Sequence, residues 1–219
     1  RFILNLTSIN YRLNHKFQNR NQTTNLDIVM NSLINRGYKP TNIYDIGCFE
    51  GKWTKKMLKI FTNSNYFLFD ANKDNEIILK NLKQKIPNIN FKIRLLSNDN
   101  KEYTFFKMKS GSSIFEEQTS HPRETVKINS TILSKEVHSD LVKSDDNLIK
   151  IDAQGSEIKI LDGLNDFIKY FEVIILEVSV HKYNKGAPLF DEVLKFMDEK
   201  NYQFYDIYDL KDLVKVSLS

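Results

Sequence analysis

Apolar residues recur along this chain in two rhythms, and the rhythms alternate. From Asn25 a helical stripe runs through Leu26, Val29, Met30, Leu33 and Ile34, and Gly37 suits the position past its last turn. Beyond it lie strand-type runs at 42–46, 65–70, 90–96, 148–152 and 173–178, separated by helical patterns at about 52–60, 74–86 and 156–170. The run "VIILEV" (173–178) is apolar almost throughout, as a strand buried on both faces requires. A further helix starts after Pro188, with Asp191 and Glu192 in its first turn, where the helix dipole favours acids. Two more strand-like runs, "YQFYDIYD" and "LVKVSLS", close the chain and read as a terminal hairpin.

Strands alternating with helices predict right-handed crossovers and a mainly parallel sheet with helices on both faces, an α/β, Rossmann-like architecture. Two regions depart from the alternation. Residues 1–24 are polar and Asn-rich and read as a tail or a leading helix, which leaves 25–219 as one domain. Between about 100 and 147 no helix is signalled; "EYTFFKM" and "TVKINSTIL" read instead as a strand pair joined by "KSGSSIFEEQTSHPRE". Such an insertion at strand ends is where substrate specificity tends to reside.

Composition narrows the classes. At 219 residues, 41% hydrophobic and 27% charged, the chain is long enough for one well-buried core. No apolar run reaches the length a membrane span needs. "RFILNL" is too short for the core of a signal peptide, and the first residue is not Met, which fits a piece of a longer protein. One Cys excludes an internal disulfide and fits a reducing cytoplasm. The net charge of +4 comes from basic residues interspersed with acids, so no nucleic-acid partner is expected.

The stretch "YDIGCFEGKWT" (44–54) carries the chemistry. In an open parallel sheet, ligands bind at the carboxyl ends of the strands beside the switch in strand order, and the turn after the first strand lies there. Gly47 lets the backbone turn tightly; Gly51 lets a ligand or the next helix approach. The second strand ends in Asp70, where an acid can accept both hydroxyls of a ribose. This D-x-G-x-x-x-G spacing differs from the G-x-G-x-x-G that seats a pyrophosphate on a helix N-terminus. Asp45 and Glu50 would repel a pyrophosphate, so the loop favours a cationic sulfonium, S-adenosylmethionine, over a nicotinamide dinucleotide.

The sequence also resembles the FkbM-type methyltransferases over roughly residues 26–210. Four segments carry the likeness: "DIGCFEG" for D-V/I-G-A-N-x-G, "FLFDANKDN" for F-E-P-N-x-x-N, "IKIDAQGSEIKILDG" for K-I/L-D-V-E-G-x-E-x-x-V-L-x-G, and "IILEVS" with the "YNKGAPLFDEVLKFMDEKNYQFYDI" that follows. The resemblance implies a class I methyltransferase fold, a mostly parallel seven-stranded sheet with an antiparallel C-terminal hairpin strand. It implies S-adenosylmethionine as cofactor and O-methylation of a glycan or small natural product. Asp45, Gly47 and Gly51 would then line the methionine part, with Cys48 and Phe49 contributing backbone. Asp70, with Asn72 in the same segment, would take the ribose; Ser97 and Asn98 would lie near the adenine. The chain departs from the pattern at Cys48-Phe49, at Asp70-Ala71, and at Gln154, which stands where the family has Glu.

Methyl transfer to a hydroxyl is an in-line displacement that also has to remove a proton, so a base or a metal is required. Asp152, ending the fourth strand, is the best-placed carboxylate; Glu177 near the end of the fifth can face it, and His181 follows just beyond. These three are the catalytic candidates, and two carboxylates with a His can also hold a divalent cation. Tyr183 is a candidate gate for the acceptor, and "GSSIF" (111–115) a candidate donor of hydroxyl and backbone hydrogens. Cys48 reads as a packing residue. Two rival functions remain open at this level: another nucleoside-cofactor enzyme on the same fold, and a non-catalytic S-adenosyl-binding module, the latter suggested by Gln154.

Overall fold

A computed structural model describes residues 2–6, 26–108, 111–118, 122–144 and 146–208. Its strands are β1 (Phe2–Leu6), β2 (Asn42–Ile46), β3 (Asn65–Asp70), β4 (Ile89–Ile93), β5 (Leu95–Ser97), β6 (Glu102–Lys107), β7 (Glu124–Ile132), β8 (Asn147–Ile151), β9 (Phe171–Val178) and β10 (Phe204–Tyr208). Its α-helices are α1 (Leu26–Asn35), α2 (Lys52–Ile60), α3 (Glu76–Lys85), α4 (Glu157–Asp162) and α5 (Phe190–Glu199).

The main sheet has the order β10-β1-β9-β8-β2-β3-β4, and each neighbouring pair is parallel. Five neighbouring strands of it, β9-β8-β2-β3-β4, are built from the five strand-type runs of the sequence. Strand order reverses between β2 and β8, which places the switch point beside the turn at Gly47. Alternate residues feed two cores. Tyr44, Phe67, Phe69, Ile149 and Leu176 pack on one side with Ile160 of α4 and Val193 and Met197 of α5. Ile43, Tyr66, Leu68, Leu148 and Ile175 pack on the other with Val29 and Leu33 of α1, Met57 of α2 and Leu79 of α3. The period of two, with both faces covered, is why these strands read as continuous apolar runs.

Three expectations are corrected, and a fourth, the terminal hairpin, falls partly outside the described residues. Phe2–Leu6, expected within a tail or leading helix, adds a strand between β9 and β10, with Ile3 buried in the second core. Residue 1 and residues 7–25 lie outside the described residues. Of the expected terminal hairpin, "YQFYDIYD" supplies β10, which pairs parallel with β1, and "LVKVSLS" lies outside the described residues. The single strand expected at 90–96 is cut at Arg94, whose N–H donates to the Asp70 carbonyl at 2.8 Å. Past that cut, β5 leaves the main sheet to pair with β7, forming the second sheet β5-β7-β6. Its β6–β7 pair is antiparallel, as the patterns at 102–107 and 124–132 indicate. Lastly, the helix expected at 156–170 ends at Asp162 and resumes as a 3-10 turn, Asn165–Tyr170. The break is enforced by contact with β5: a Cβ on Gly163 would stand 2.3 Å from the Ser97 carbonyl oxygen.

Candidate active site

A cleft of about 360 Å³ opens at the carboxyl ends of β2, β3, β8 and β9, roofed by β5, β6 and residues 111–114. Such a volume suits a small ligand. Of the residues singled out from the sequence, Gly47, Phe49, Asp70, Asn72, Asp152 and Glu177 line it. Gly111 to Ile114 of "GSSIF" line it too, although the Ser113 hydroxyl is spent on the Gln154 carbonyl at 2.8 Å.

The Gly47 turn is clamped between two strand ends. Gly47 and Cys48 both donate their N–H groups to the Phe69 carbonyl, at 2.9 and 3.1 Å. On the other side a Cβ on Gly47 would meet the Asp152 carbonyl oxygen at 1.8 Å, and its φ is +70°. Only glycine lets β2 and β8 close this tightly. Gly51 serves the helices instead, since a Cβ there would meet Leu82 of α3 at 2.8 Å. Cys48 points into the second core, and burial pushes its thiol well above its ordinary value, the state of a packing residue and not a nucleophile.

Asp70 stands at the end of β3 with both oxygens turned to backbone donors. Oδ2 accepts from the Phe49 N–H at 2.7 Å; Oδ1 accepts from the Asn72 N–H at 2.8 Å and the Asn75 amide at 3.0 Å. Burial raises its carboxyl, and these hydrogen bonds partly offset the rise. Three of the carboxylate's four acceptor positions are thus filled, and the free one, on Oδ2, is left for a ligand hydroxyl. The Asn72 side chain accepts from the Asp74 N–H at 3.1 Å and starts the turn into α3.

On the opposite wall Asp152 and Glu177 meet. Glu177 is among the neighbours that lower the Asp152 carboxyl. Burial would raise Asp152, but Lys150, Glu177 and Gln154 outweigh it and hold it below the usual carboxylate range. The Gln154 amide donates to Asp152 Oδ1 at 2.8 Å, from a backbone held at φ 51°. That conformation is itself pinned, because the Gln154 carbonyl accepts from Ser113 and from the Asn184 amide, both at 2.8 Å. Strained backbone held by its surroundings is a mark of functional sites.

Other candidates fall elsewhere. Asp45 is fully buried behind the turn, where Thr54 donates to Oδ2 at 2.6 Å and Lys150 sits 3.3 Å from Oδ1. Glu50 pairs with Lys52 at 2.9 Å. Neither of these two acids lines the cleft; the charge that disfavours a pyrophosphate comes from Asp70 and Asp152. Ser97 and Asn98 are also off the cleft, since Ser97 packs on Gly163 and Asn98 donates to Asp162 at 3.0 Å; Leu95 and Leu96 line that wall instead. His181 is exposed and borders a smaller pocket that shares Gln154 and Glu177 with the cleft. No group of three or more His, Cys, Asp or Glu among the described residues is arranged to hold a metal ion.

Glu157, at the start of α4, borders the smaller pocket and is buried. Its Oε1 accepts from the Ala153 N–H at 2.9 Å and the Gly155 N–H at 3.2 Å, so this one carboxyl organises the loop that carries Asp152 and Gln154. Burial pushes it from 4.5 up to about 7. Because the raised value favours the protonated acid in the fold, its contribution to stability is whole below about pH 4.5 and is lost as pH rises through about 7. Glu157→Gln is expected to remove that loss, on the order of 3 kcal/mol across the window. Urea unfolding of both chains from pH 4.5 to 7 checks it. Parallel pH slopes would contradict the assignment.

Reasoning from sequence missed Lys150. Its ammonium reaches Asp45, Asp152 and the Gly47 carbonyl from within β8. The signal was present as one charged residue inside the otherwise apolar core of "NLIKI".

Among known proteins, the family model described as Methyltransferase FkbM domain matches residues 20–204 of the chain. No curated protein and no solved structure matches it.

Proposed function

The chain belongs to the FkbM methyltransferase family, and from that premise we propose that it is an S-adenosylmethionine-dependent O-methyltransferase in which Asp152 removes the acceptor's proton. The acceptor is a hydroxyl on a glycan or small natural product. The observation that carries the reading is the Asp152–Glu177–Gln154 group facing Asp70 across one cleft.

The residues present fit such a cofactor. Asp70 can accept a ribose hydroxyl through the free position on Oδ2 while it keeps its three internal donors. Leu95, Leu96 and Phe105 offer apolar surface to an adenine. Gly47 and Phe49 present backbone to the amino-acid portion. Among the described lining residues the one cation is Arg94, and it is engaged with Glu136 at 3.6 Å and the Ile93 carbonyl at 3.0 Å. A cleft of this charge favours a sulfonium over a phosphate.

When bound, S-adenosylmethionine supplies an electrophilic methyl carbon whose sulfur leaves as a neutral thioether. The chain's own work is then to aim a hydroxyl oxygen at that carbon and to receive its proton. Asp152 is ionised and half-buried, so it can accept the proton; Gln154 fixes its orientation through Oδ1. Glutamine in place of the family's glutamate suits this task, because a third acid beside Asp152 and Glu177 would add repulsion where an amide donates. Residues 111–114 line the cleft beside Gln154, where they can help align the acceptor, the larger part of catalysis in a displacement. Asn184, Tyr183 and His181 lie on the loop beside Gln154, where an acceptor can approach.

The test is calorimetric. Asp70→Ala is expected to weaken S-adenosylhomocysteine binding at least tenfold, about 1.4 kcal/mol. Because Asp70 also holds the Phe49 N–H, the same pair is titrated with a 2′,3′-dideoxy ligand. A ribose contact predicts that the penalty largely vanishes toward that ligand; an equal penalty toward both ligands would overturn the role given to Asp70.

A further inference from the structure

Lys150 is the charged residue in a strand whose five positions are all buried, and its side chain is only 7% exposed. The β2–β8 register sets it opposite Asp45. Its ammonium lies 3.3 Å from Asp45 Oδ1 and 3.2 Å from Asp152 Oδ2, and it donates to the Gly47 carbonyl at 3.3 Å. An ammonium has three hydrogens, and three oxygens surround it. The charged and titratable groups that face it come from four directions: Asp45 and Cys48 from β2 and its turn, Asp152 from the end of β8, Glu177 from β9 and Tyr208 from β10. Burial alone would strip the charge from a lysine, yet the acids around Lys150 hold its value well above the ordinary range.

The placement links two halves of the site. Gly47 and Asp45 belong to the loop assigned to the cofactor, and Asp152 to the acceptor side. We propose that Lys150 is a positioning residue of the methyl-transfer site: one buried ammonium keeps Asp152 charged and ties it to the Gly47 turn, so that the proton acceptor and the cofactor loop are held as one unit. This rests on the reading of Asp152 as the base. Removing the cation takes away the largest influence that favours the ionised form of Asp152, against the burial that disfavours it.

The experiment follows the Asp152 carboxyl carbon by NMR in the full chain labelled at aspartate Cγ, with the signal assigned by its loss in Asp152→Asn. In the wild type the signal is expected to stay that of a carboxylate from about pH 7 down to 4. In Lys150→Met its midpoint is expected to rise by at least one pH unit, a tenfold change in proton affinity. Lys150→Arg is expected to restore it. Since Lys150→Met strands two buried carboxylates and can fail to fold, the Lys150→Met, Asp45→Asn pair is measured beside it; it removes one charge of each sign, and the same rise is expected. An Asp152 midpoint within a few tenths of a unit of the wild type, in either folded variant, overturns the proposal. The readout needs no cofactor, so failure of this coupling and failure of the methyl-donor reading are seen separately.

Discussion

Asp152→Asn is expected to cut methyl transfer by on the order of 10²–10⁴-fold, the span a positioned base contributes, while affinity for S-adenosylhomocysteine stays within a few-fold. The substitution is close to isosteric. An asparagine oxygen can still accept the Gln154 amide that now reaches Oδ1 at 2.8 Å, so the loop keeps its shape. What is lost is the ability to take a proton, together with one acid beside Lys150, which retains Asp45 at 3.3 Å. Tritiated methyl transfer from S-adenosylmethionine into a panel of sugars and small alcohols measures the first effect, and calorimetry the second. If the variant still methylates an acceptor that the wild type methylates, at comparable rate and with unchanged affinity, Asp152 is not the base. If affinity collapses with activity, the residue is holding the cofactor loop and not the proton.

Gly47→Ala is expected to destabilise the fold by about 3 kcal/mol or more and to take S-adenosylhomocysteine binding with it. Two costs combine. A side chain at φ +70° carries strain of roughly 1–3 kcal/mol. The new Cβ must also displace the Asp152 carbonyl oxygen, 1.8 Å away on the adjacent strand end, and forcing an atom into packed structure costs about 1–3 kcal/mol more. In a chain of this length that corresponds to a fall in melting temperature of about 10 °C. Gly37→Ala is the control: its φ of +88° imposes strain of the same kind, but nothing lies within 4 Å of the added carbon. A thermal melt in which both variants fall equally would mean that the close approach of β2 and β8 carries no cost, and the clamped turn would lose its physical basis.

Five strands of the main sheet were legible because a strand covered on both faces is mostly apolar: "VIILEV" carries one polar residue, and "NYFLFD" carries its polar residues only at its two ends. The site was legible where chemistry coincides with a strand end: Asp70 and Asp152 close β3 and β8, and Glu177 precedes the last residue of β9. What escaped depends on tertiary contact. Phe2–Leu6 stands next to a polar, Asn-rich stretch and is held by partners far along the chain, β9 and β10. The cut at Arg94 reflects the change of partner from β3 to β7 between Ile93 and Leu95, which no local pattern encodes. Ser97 and Asn98 missed the cleft by a residue or two because β5 turns toward Gly163. Asp45 looked like a loop acid facing a ligand; only the register that sets Lys150 opposite shows it neutralised from behind. Lys150 was overlooked for the same reason. A lysine in an apolar run has no meaning until the carboxylates on the neighbouring strands are in place.

The central claim is that the cleft at the ends of β2, β3 and β8 receives an S-adenosyl cofactor. Calorimetric titration of the unmodified chain with S-adenosylhomocysteine, and in parallel with a nicotinamide dinucleotide, tests it most directly. The account predicts binding on the order of micromolar for the first, about −8 kcal/mol, and none for the second. A folded chain that binds the dinucleotide, or neither ligand, would contradict it.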